Sequence, residues 1–463
     1  MLGQAKRVHF IGVGGIGMSG IAELLVNLGY QVTGSDVQPT DITARLESLG
    51  VRVVQGHDAR NVSDAEVVVY SSAVRPGNPE MVAARERGLA VVPRAELLAE
   101  LMRLRQGIAV AGSHGKTTTT SMIALVLDVA GLDPTAVIGG RVSSFGSNAK
   151  LGRGKYLVAE ADESDRSFLT LEPRFAVITN VDREHLEAYR DFDDLKAAFV
   201  QFANAIPSNG VVILCWDDAH LRAMRADIRR PVVTYGLDDS ADVVAADVRL
   251  KGFGSVSTVR ARRPGGRSVD LGKLPLSIPG RHNVLNALAA VAMSRELGIA
   301  WSDIARALGG FQGAERRFQR RGEERGISVI EDYGHHPTEI AAVVATAKPI
   351  AEGRLIVAFQ PHRFTRTQFL MHEFGRAFSG ADVVVLTDIY AAGEDRIDGV
   401  TLEALADRVR ADFKGTLHVV PALSDVAREL ATVAAPGDLI VLLGAGSIGS
   451  IAPAVIAALR GSN

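Results

Sequence analysis

Residues 108–129 read IAVAGSHGKTTTTSMIALVLDV, a stretch that predicts a buried strand, a turn of small residues and a helix. Gly115, Lys116 and Thr117 match the end of the phosphate-binding loop GxxxxGK[ST], although Val110 stands where the first glycine is usual. Backbone amides, a lysine, a hydroxyl group and a helix N-terminus together suit the phosphates of ATP and a Mg²⁺ ion. A chance GKT at a helix start is the alternative, and the preceding strand argues against it. The expected ATP contacts are Gly112, Ser113, His114, Gly115, Lys116, Thr117 and Thr118.

Short apolar runs alternate with longer amphipathic segments on both sides of this loop. Such alternation is typical of an α/β fold, in which helices cover a mostly parallel sheet. The predicted strands are residues 8–13, 31–34, 66–70, 108–111, 156–159, 176–179, 211–214, 328–330, 355–359, 383–386 and 439–443. The predicted helices are residues 17–28, 78–87, 95–104, 118–129 and 283–296. Residues 232–278 are rich in alternating apolar and polar side chains, interrupted by the charged segment 260–267, which predicts an antiparallel extension or a hairpin.

Breaks in this pattern near residues 105 and 320 predict three domains, 1–105, 106–320 and 321–463. The central domain contains the phosphate-binding loop, so we expect it to be a mononucleotide-binding domain of the P-loop ATPase type. The last domain alternates strands and helices again and is expected to be a Rossmann-like α/β domain.

Length and composition limit the classes of protein to which the chain can belong. Its 463 residues are 47% hydrophobic and 22% charged, which is typical of a globular protein with several domains. The 51 basic and 53 acidic residues leave a net charge of −2, which does not indicate a nucleic-acid partner. Cys215 is the only cysteine, which excludes an intrachain disulfide and a multi-cysteine metal site. With no signal-peptide pattern and no apolar run of about 20 residues, we expect a cytoplasmic protein without membrane insertion.

A glycine motif precedes the predicted helix 17–28. Gly12, Gly14 and Gly17 form GxGxxG directly after the first strand, and Asp36 lies at the end of the second. This spacing matches the fingerprint of a Rossmann-like domain, in which glycines admit a pyrophosphate and the acid binds a ribose hydroxyl. A turn that uses glycines only for packing is the alternative. GxGxxG occurs again at residues 444–449, where no strand and no suitably spaced acid follow, so a ligand is less expected there.

Acidic residues and a histidine follow two of the strands that flank the phosphate-binding loop. Residues 160–165 read EADESD after strand 156–159, and His185 follows strand 176–179. Because parallel strands end at one edge of a sheet, a carboxylate here can hold the metal that bridges ATP phosphates. We select Glu160, the acid nearest the strand, and expect most of the other acids to be solvated. His185 is equally compatible with a structural role and with a ligand role.

Two polar clusters follow strands of the last predicted domain. Residues 332–337 read DYGHHP and residues 362–366 read HRFTR. The adjacent histidines lack the spacing of a zinc site. The two arginines of the second cluster, Arg363 and Arg366, suit a carboxylate or a phosphate, although Arg366 is also compatible with a solvated surface.

The connector 311–326 carries a second pair of arginines, Arg316 and Arg317. A guanidinium there could close over the phosphates of ATP. The same segment is the predicted hinge for closure of the domains around their ligands.

The motifs in combination, rather than any one of them, carry a family resemblance. They are HFIGVGGIGMSGIAELL, GSD, SSA, AGSHGKTTTT, EADESD, TNVDREHLEAY, GRHNVLNALAA, FQGAERRFQ, EDYGHHPTE, FQPHRFTRT and GAGSIG, in this order. The chain resembles the Mur ligases over essentially its whole length. The resemblance implies N-terminal UDP-sugar binding, a central ATPase domain and a C-terminal amino-acid-binding domain. It changes the interpretation of the first glycine motif from a nicotinamide site to a UDP-sugar site, since both place a diphosphate at a helix N-terminus.

The resemblance also implies roles for individual residues, by motif match. It implies UDP-sugar contacts from Gly14, Gly15, Ile16, Gly17, Ser19, Ser35, Asp36, His57, Ser71, Ser72 and Ala73. Outside the loop, it implies ATP contacts from Asn283, Asn286, Arg317 and Asp332. It implies Mg²⁺ or Mn²⁺ ligation by Thr117, Glu160 and His185, and binding of the amino acid and the reacting carboxylate by Tyr333, His362, Arg363 and Arg366. The implied catalytic residues are Lys116, His185, Arg317 and His362.

The implied reaction joins L-alanine to the lactyl carboxylate of UDP-N-acetylmuramate, with ATP as co-substrate and an acyl phosphate as intermediate. The partners are then small molecules, and a homodimer is left open. The sequence does not rank His185 and His362 as the base that accepts the amine proton. Two departures from the family pattern stand out: Glu184 precedes His185 where aspartate is common, and Lys196 does not fit the position of the carbamylated lysine of several relatives.

Three other interpretations remain at this point. A ligase of the same family could add a preformed tripeptide to the same sugar nucleotide. The first glycine motif alone would also fit a nicotinamide-dependent oxidoreductase fused to an ATP-binding module. A non-catalytic protein switched by ATP is the third.

Overall fold

Three sheets covered by helices organise the protein, whose structure here is a computed structural model that describes residues 5–71, 73–142, 147–262 and 266–461. This arrangement confirms the predicted three-domain α/β class. By its internal contacts the chain divides into two compact units. The first comprises Met1–Val248, Ser257–Pro275 and Val284–Gln312, and the second comprises Arg249–Val256, Leu276–Asn283 and Gly313–Asn463. Among the described residues, no helix combines the length and the apolarity that a membrane crossing requires.

The first sheet is parallel and has five strands in the order β3-β2-β1-β4-β5. Its strands are β1 Arg7–Ile11, β2 Gln31–Asp36, β3 Arg52–Gln55, β4 Val67–Tyr70 and β5 Ala90–Pro93. Its helices are α1 Ile16–Asn27, α2 Asp41–Ser48, α3 Pro79–Glu86 and α4 Arg94–Arg103. Side chains of both faces of the central β1 are buried, as expected where helices cover both sides of a sheet. The predicted strand 8–13 ends earlier, at Ile11, because Gly12 turns the chain with a φ of 76°.

The second sheet has ten strands in the order β15-β14-β13-β12-β11-β10-β6-β9-β7-β8. Its strands are β6 Gln106–Ala111, β7 Thr135–Val142, β8 Ser147–Lys150, β9 Tyr156–Glu160, β10 Phe175–Ile178, β11 Val211–Cys215, β12 Val232–Gly236, β13 Val243–Lys251, β14 Gly254–Arg262 and β15 Ser268–Leu276. The helices of this region are α5 Lys116–Val129, α6 Phe192–Ala205, α7 Ala219–Met224, α8 Arg281–Glu296 and α9 Trp301–Gly309. The β-rich run that the alternation predicted forms the four strands from β12 to β15 at one side of the sheet. The antiparallel prediction is wrong for β12, which pairs in parallel with both β11 and β13.

The position of β6 prepares a binding site. It lies between β9 and β10 and is parallel to both, with Val110 opposite Glu160 and Ala111 opposite Ile178. The segments that follow these three strands therefore leave the sheet at one edge, where open parallel sheets bind ligands.

The third sheet has six strands in the order β16-β17-β21-β18-β19-β20, and only β16 at its edge is antiparallel to its neighbour. Its strands are β16 Gln319–Glu324, β17 Ile327–Asp332, β18 Leu355–Phe359, β19 Val383–Leu386, β20 Thr416–Val419 and β21 Leu439–Leu443. Its helices are α10 Pro337–Ala347, α11 Phe364–Phe369, α12 Met371–Ala377, α13 Leu402–Asp412, α14 Leu423–Val433 and α15 Ala452–Gly461. Successive residues enter separate cores on the two faces: Val357 and Val441 join one, Ile356 and Ile440 the other.

The predicted connector 311–326 is only partly a connector. Residues 319–324 form the edge strand β16, and Phe318 is buried in one of the two cores of the third sheet. The sequence pattern missed this strand because its residues QRRGEE are polar and partly exposed, as is common at a sheet edge.

Candidate active site

The phosphate-binding loop is a tight turn between β6 and α5. Val110 is fully buried within β6, so the turn proper begins at Gly112, which explains why no glycine is needed at position 110. Gly112 has a φ of 130°, and a Cβ there would lie 2.0 Å from Oγ1 of Thr179. Gly115 has a φ of 81° at the N-cap of α5, and a Cβ there would lie 2.6 Å from Oδ1 of Asn286. Both positions require glycine, for conformation and for space.

The loop is attached to the segment that follows β10. The amide of Ser113 donates to the carbonyl of Asn180 (3.1 Å), and the amide of His114 donates to the Asn180 side chain (2.8 Å). In the other direction, the Thr179 hydroxyl donates to the carbonyl of His114 (2.6 Å). Nε2 of His114 lies 3.0 Å from a carboxylate oxygen of Asp182. These contacts give Ser113 and His114, both predicted ATP contacts, a part in holding the loop in shape.

Lys116 is the first residue of α5, and its side chain lies over the loop. Its Nζ donates to the carbonyls of Gly112 (2.6 Å) and Ser113 (3.2 Å) and lies 2.8 Å from the carboxylate of Glu163. Burial lowers the pKa of Lys116, but the charges of Glu163, Asp162 and Glu184 and the hydrogen bond to Glu163 together outweigh burial and raise it, so the lysine keeps its proton. A fixed cation beside the first N–H groups of a helix suits a phosphate.

Thr117 and Glu160, two of the predicted metal ligands, are in direct contact. The Thr117 hydroxyl donates to Oε2 of Glu160 across 3.2 Å, and the amide of Gly139 donates to Oε1 (2.5 Å). A Cβ at Gly139 would lie 2.6 Å from Oε2, so glycine at this position makes room for the carboxylate. Thr118, the next residue of α5, is buried.

His185, the third predicted metal ligand, lies with a different pair of acids. Its Nε2 is 3.9 Å from Glu163 and 3.8 Å from Glu184, and one possible ligand atom from each of these three residues falls within 4.8 Å of the others. His185 has a φ of 57°, a conformation that non-glycine residues adopt at a cost and that here turns the imidazole toward the acids. Burial lowers the pKa of His185, but contact with Glu187, Glu184 and Glu163 outweighs burial and raises it.

Glu163 and Glu184 are acidic residues that the sequence reasoning considered but did not select as site residues. Glu163 is fully buried and Glu184 is nearly so, although both belong to strings of polar residues that predict solvent exposure. The one signal in the sequence was the position of Glu184 directly before His185, where aspartate is usual in the family. The structure shows the two side chains in contact. Lys196, by contrast, pairs with Asp193 (2.6 Å) on the exposed side of α6.

The two predicted asparagine contacts to ATP lie on α8. Oδ1 of Asn286 accepts from the Thr119 hydroxyl (3.2 Å), which places this amide at the start of α5 beside Gly115. Asn283 belongs to the second compact unit, where its Nδ2 donates to the carbonyl of Pro279 (2.6 Å).

The first GxGxxG motif forms the turn between β1 and α1. The amides of Gly12 and Val13 both donate to the carbonyl of Ser35 (2.8 and 2.9 Å), and the amide of Gly14 donates to Asp36 (2.8 Å). Helix α1 then begins at Ile16 with Gly15 as its N-cap. A Cβ at Gly17 would lie 3.0 Å from the guanidinium of Arg94, a cation that the motif search did not include.

The other predicted UDP-sugar contacts differ in exposure. The Ser19 hydroxyl donates to the carbonyl of Ile16 (3.0 Å) and accepts from Asn148 (3.0 Å). Ser35 is fully buried, whereas His57 is half-buried with its Nδ1 3.1 Å from the Ser35 hydroxyl. After β4, Ser71 is half-buried and Ala73 is exposed. Ser72 lies outside the described residues.

Arg316 and Arg317, paired in the sequence as phosphate contacts, have different surroundings within the second unit. Arg316 donates from Nε to Glu331 (2.6 Å) and from a terminal nitrogen to the carbonyls of Gly444 (3.0 Å) and Gly446 (2.9 Å). Arg317 lies 3.6 Å from Glu339. Both guanidiniums lie over the ring of Tyr333, 4.9 Å (Arg316) and 5.1 Å (Arg317) from its centroid.

The second GxGxxG motif has a packing role. A Cβ at Gly449 would lie 1.8 Å from Glu331, and one at Gly446 would lie 2.7 Å from the Tyr390 ring. The absence of a side chain at Gly449 lets the loop backbone approach the carboxylate of Glu331. Two carbonyls of the same loop accept hydrogen bonds from Arg316.

Asp332 ends β17 and accepts two backbone hydrogen bonds, from Phe318 and from Gly334 (both 2.7 Å). Burial raises the pKa of Asp332, against the lowering effect of Arg317 and of the two hydrogen bonds. The carboxyl group therefore joins the segment before β16 to the end of β17.

The HRFTR segment collects the remaining predicted contacts. Nδ1 of His362 lies 3.0 Å from a terminal nitrogen of Arg366, and the His362 ring is stacked on Tyr390, 5.6 Å between centroids. Arg363 has a φ of 71°, and its Nε lies 3.9 Å from Glu394. Burial, together with the charges of His335 and of the nearby arginines, lowers the pKa of His362 to about 3, so the imidazole is neutral at physiological pH.

The three domains correspond to those of one family. Models of the Mur ligase family match consecutive parts of the chain: its catalytic domain at residues 7–106, its middle domain at residues 110–294 and its glutamate ligase domain at residues 316–446. The chain therefore belongs to the Mur ligase family.

Individual members of the family resemble the chain over its full length. A UDP-N-acetylmuramate–L-alanine ligase of Syntrophus aciditrophicus (strain SB) is 50% identical over 457 residues, covering 99% of this chain and 94% of the relative. One from Geobacter sp. (strain M21) is 51% identical over 461 residues, covering 99% of both. Among solved structures, the UDP-N-acetylmuramate–alanine ligase MurC of Thermotoga maritima aligns with a TM-score of 0.82 at 30% identity, covering 99% of this chain and 100% of that one. The murein peptide ligase of Psychrobacter arcticus 273-4 aligns with a TM-score of 0.73 at 26% identity, covering 98% and 99%.

Proposed function

We propose that this protein joins L-alanine to the lactyl carboxylate of UDP-N-acetylmuramate, with conversion of ATP to ADP and phosphate. The observation that carries the proposal is identity of about one half, over 99% of the chain, to proteins named for that reaction. The supporting geometry is a phosphate-binding loop whose lysine, Lys116, lies beside an acid and histidine cluster.

The reaction needs ATP to activate the carboxylate, because an amine cannot displace an oxide ion from a carboxylate. Transfer of the γ-phosphoryl group to the lactyl carboxylate gives an acyl phosphate, from which phosphate is a good leaving group. Lys116 and the N–H groups at the start of α5 neutralise the charge that spreads over the transferring oxygens. By the family resemblance, Arg317 is the proposed second cation for these phosphates, and Asn283, Asn286 and Asp332 are further proposed contacts of ATP.

The donor set around the loop fits a magnesium ion. Carboxylate and hydroxyl oxygens are the ligands that Mg²⁺ prefers, and Thr117 with Glu160 offers one such group at 3.2 Å. Glu163, Glu184 and His185 offer a second group of possible ligand atoms. Mg²⁺ bound at these residues would supply positive charge to the phosphates of ATP and to the reacting carboxylate.

The second half-reaction is attack of the α-amine of L-alanine on the acyl phosphate. Arg363 and Arg366 are the proposed partners of the alanine carboxylate. A guanidinium can donate two parallel hydrogen bonds to a carboxylate, and these fix its orientation. A base must take the amine proton. The low pKa of His362 leaves its imidazole neutral, in contact with Arg366 and stacked on Tyr390. His185 and His362 are the two proposed candidates for this base.

The sugar nucleotide belongs to the first domain in this proposal. Its diphosphate would meet the turn of Gly14, Gly15, Ile16 and Gly17, with Asp36 bracing that turn. A cytoplasmic location, self-association as a homodimer and domain boundaries near residues 105 and 320 stay predictions, which fractionation, sedimentation and limited proteolysis would test.

One assay tests the proposal. Purified protein with ATP, Mg²⁺ and UDP-N-acetylmuramate is given L-alanine, glycine, L-serine, a muropeptide-type tripeptide or nothing, and released phosphate is measured. We expect release that requires both the sugar nucleotide and L-alanine. Release with the tripeptide alone would favour the reaction of a murein peptide ligase, and turnover without the sugar nucleotide would reject both.

A further inference from the structure

Glu80 is a fully buried carboxylate in the first turn of α3, and neither the sequence motifs nor the proposed reaction account for it. Its Oε2 accepts from the hydroxyl of Ser35 (2.6 Å), and its Oε1 accepts from the side-chain amide of Asn61 (2.5 Å). Two imidazoles are close to the same carboxylate: Nδ1 of His57 at 3.4 Å and Nε2 of His9 at 3.5 Å. A buried acid with partners from three other segments is an organising group rather than a chance occurrence.

The carboxylate links the two segments that bear most of the predicted UDP-sugar contacts. Ser35 is the penultimate residue of β2: its carbonyl accepts the amides of Gly12 and Val13, and the next residue, Asp36, accepts the amide of Gly14. The glycine turn therefore takes its position from the end of β2. On the other side, Oε1 of Glu80 also accepts the amide of Asp58 (3.4 Å), the residue that follows His57.

Glu80 keeps its charge in this environment. Burial raises the pKa of Glu80, but hydrogen bonds from His9, Ser35 and Asn61 outweigh burial and lower the pKa to about 2. A buried charge restricts its donors to few arrangements, because each donor that turned away would leave part of the charge without a partner.

We propose that Glu80 is a positioning residue of the sugar-nucleotide site, which acts by holding Ser35 and His57 in one arrangement. The inference rests on the proposed function, because it takes UDP-N-acetylmuramate as the ligand of the glycine turn. Glu80 itself is too deeply buried to touch the ligand. Loss of the carboxylate loosens the end of β2 and the loop after β3 together, and the binding of the sugar nucleotide weakens as a result.

The test is the KM for each substrate in Glu80→Gln and Glu80→Ala. Glutamine keeps one oxygen acceptor and removes the charge, whereas alanine removes both acceptors. We expect the KM for UDP-N-acetylmuramate to rise about tenfold in Glu80→Gln and further in Glu80→Ala, because a buried hydrogen-bond network contributes about this much when one member is lost. The KM values for ATP and L-alanine should stay within about twofold. Titration calorimetry with UDP-N-acetylmuramate alone should show the same loss of affinity.

Glu23→Gln is the matched control. Glu23 is a nearly buried acid of the same domain that pairs with Arg45 (2.9 Å) on α2, away from Ser35 and His57. We expect this variant to lose stability without a change in any KM. If Glu80→Ala does not fold, Ser35→Ala breaks the same link from its other end and should raise the same KM.

A specific pattern of results would overturn the inference. If Glu80→Gln and Ser35→Ala melt at a lower temperature but keep the parent KM for UDP-N-acetylmuramate, Glu80 is only a stability residue. In a double-mutant cycle, additive effects of Glu80→Gln and His57→Ala on that KM would also contradict action through His57. A parent protein that neither binds nor uses UDP-N-acetylmuramate would instead reject the proposed function itself.

Discussion

At the scale of single residues, two neighbouring arginines of one connector are assigned different tasks by their contacts. Arg316 donates from Nε to Glu331 and from a terminal nitrogen to two carbonyls of the loop after β21. These contacts stabilise the second unit. Arg317 contacts Glu339 and the Tyr333 ring and is the one proposed to meet ATP. Side-chain type alone does not separate the two.

We expect Arg316→Ala to destabilise the protein by about 3 kcal/mol, since it leaves the buried Glu331 without its closest cation. Arg317→Ala should leave the melting temperature within a few degrees of the parent and lower kcat about a hundredfold or more, as for other cations at a transferring phosphoryl group. Urea unfolding and steady-state kinetics on both variants check this. Equal losses of stability in the two variants would contradict the assignment.

Lys116 provides the second prediction at this scale. Lys116→Ala should abolish ATP-dependent phosphate release while affinity for UDP-N-acetylmuramate, measured by calorimetry without ATP, stays within about threefold, because the proposed sugar-nucleotide site lies in another domain. Lys196→Ala is the control, since this lysine pairs with the exposed Asp193. Residual activity of Lys116→Ala near that of the control would show that the loop lysine is not essential.

At the scale of elements, helix α5 has a glycine with positive φ at each end. Gly115 at its start has a φ of 81° and Gly131 beyond its end has a φ of 73°. The two glycines differ in the room available for a side chain. A Cβ at Gly115 would lie 2.6 Å from Asn286, whereas a Cβ at Gly131 would have no atom within 4 Å. The pair therefore separates the cost of the backbone conformation from the cost of crowding.

We expect Gly131→Ala to cost about 1 kcal/mol of stability, the usual cost of a left-handed alanine, with normal activity. Gly115→Ala should cost clearly more and should remove ATP-dependent turnover, because Asn286 or the loop must move. Thermal unfolding and phosphate release measure the two effects. Similar stability and activity in the two variants would mean that the contact with Asn286 has no consequence.

Glu80, which lies in the first turn of α3, makes the free energy of unfolding depend on pH in the acid range. The pKa of Glu80 in the folded protein is about 2, below its ordinary 4.5, so its contribution is complete above about pH 5 and is lost as the pH falls toward 2. That contribution amounts to at most about 3 kcal/mol. Between pH 5 and pH 3, the free energy of unfolding in urea should fall less steeply in Glu80→Gln than in the parent. Parallel curves would show that Glu80 does not titrate in this way.

At the scale of the whole molecule, the chain consists of two compact units with separate cores. The turn of Gly14 and Asp36 belongs to the first unit and the Arg316 network to the second. The chain passes from one unit to the other several times, at residues 248, 256, 275, 283 and 312.

Two units with separate cores predict two calorimetric transitions. UDP-N-acetylmuramate should raise the midpoint of one transition by mass action, and Arg316→Ala should lower the other. Differential scanning calorimetry with and without the sugar nucleotide makes both measurements. A single transition that responds as a whole to both changes would show that the units unfold together.

The sequence by itself determined the α/β class, the three-domain organisation and the family. These follow from local features, such as the period of apolar residues and the glycines at turns, which a linear pattern records. It also singled out Lys116, Thr117 and Glu160, because residues directly after parallel strands share one edge of a sheet. The sequence did not explain why the loop lacks its usual first glycine. The structure does, because Val110, which occupies that position, lies within strand β6.

Only the tertiary structure decided the partners of the charged residues. Glu163, Glu184 and Glu80 are buried, and each lies close to a cation, an imidazole or a donor from a distant segment: Lys116, His114 and Ser35 respectively. Arg316 and Arg317 are adjacent in sequence and have different contacts. The physical reason is that the pairing and burial of a charge depend on groups brought together by packing across many residues of chain, whereas a period or a turn is set by immediate neighbours.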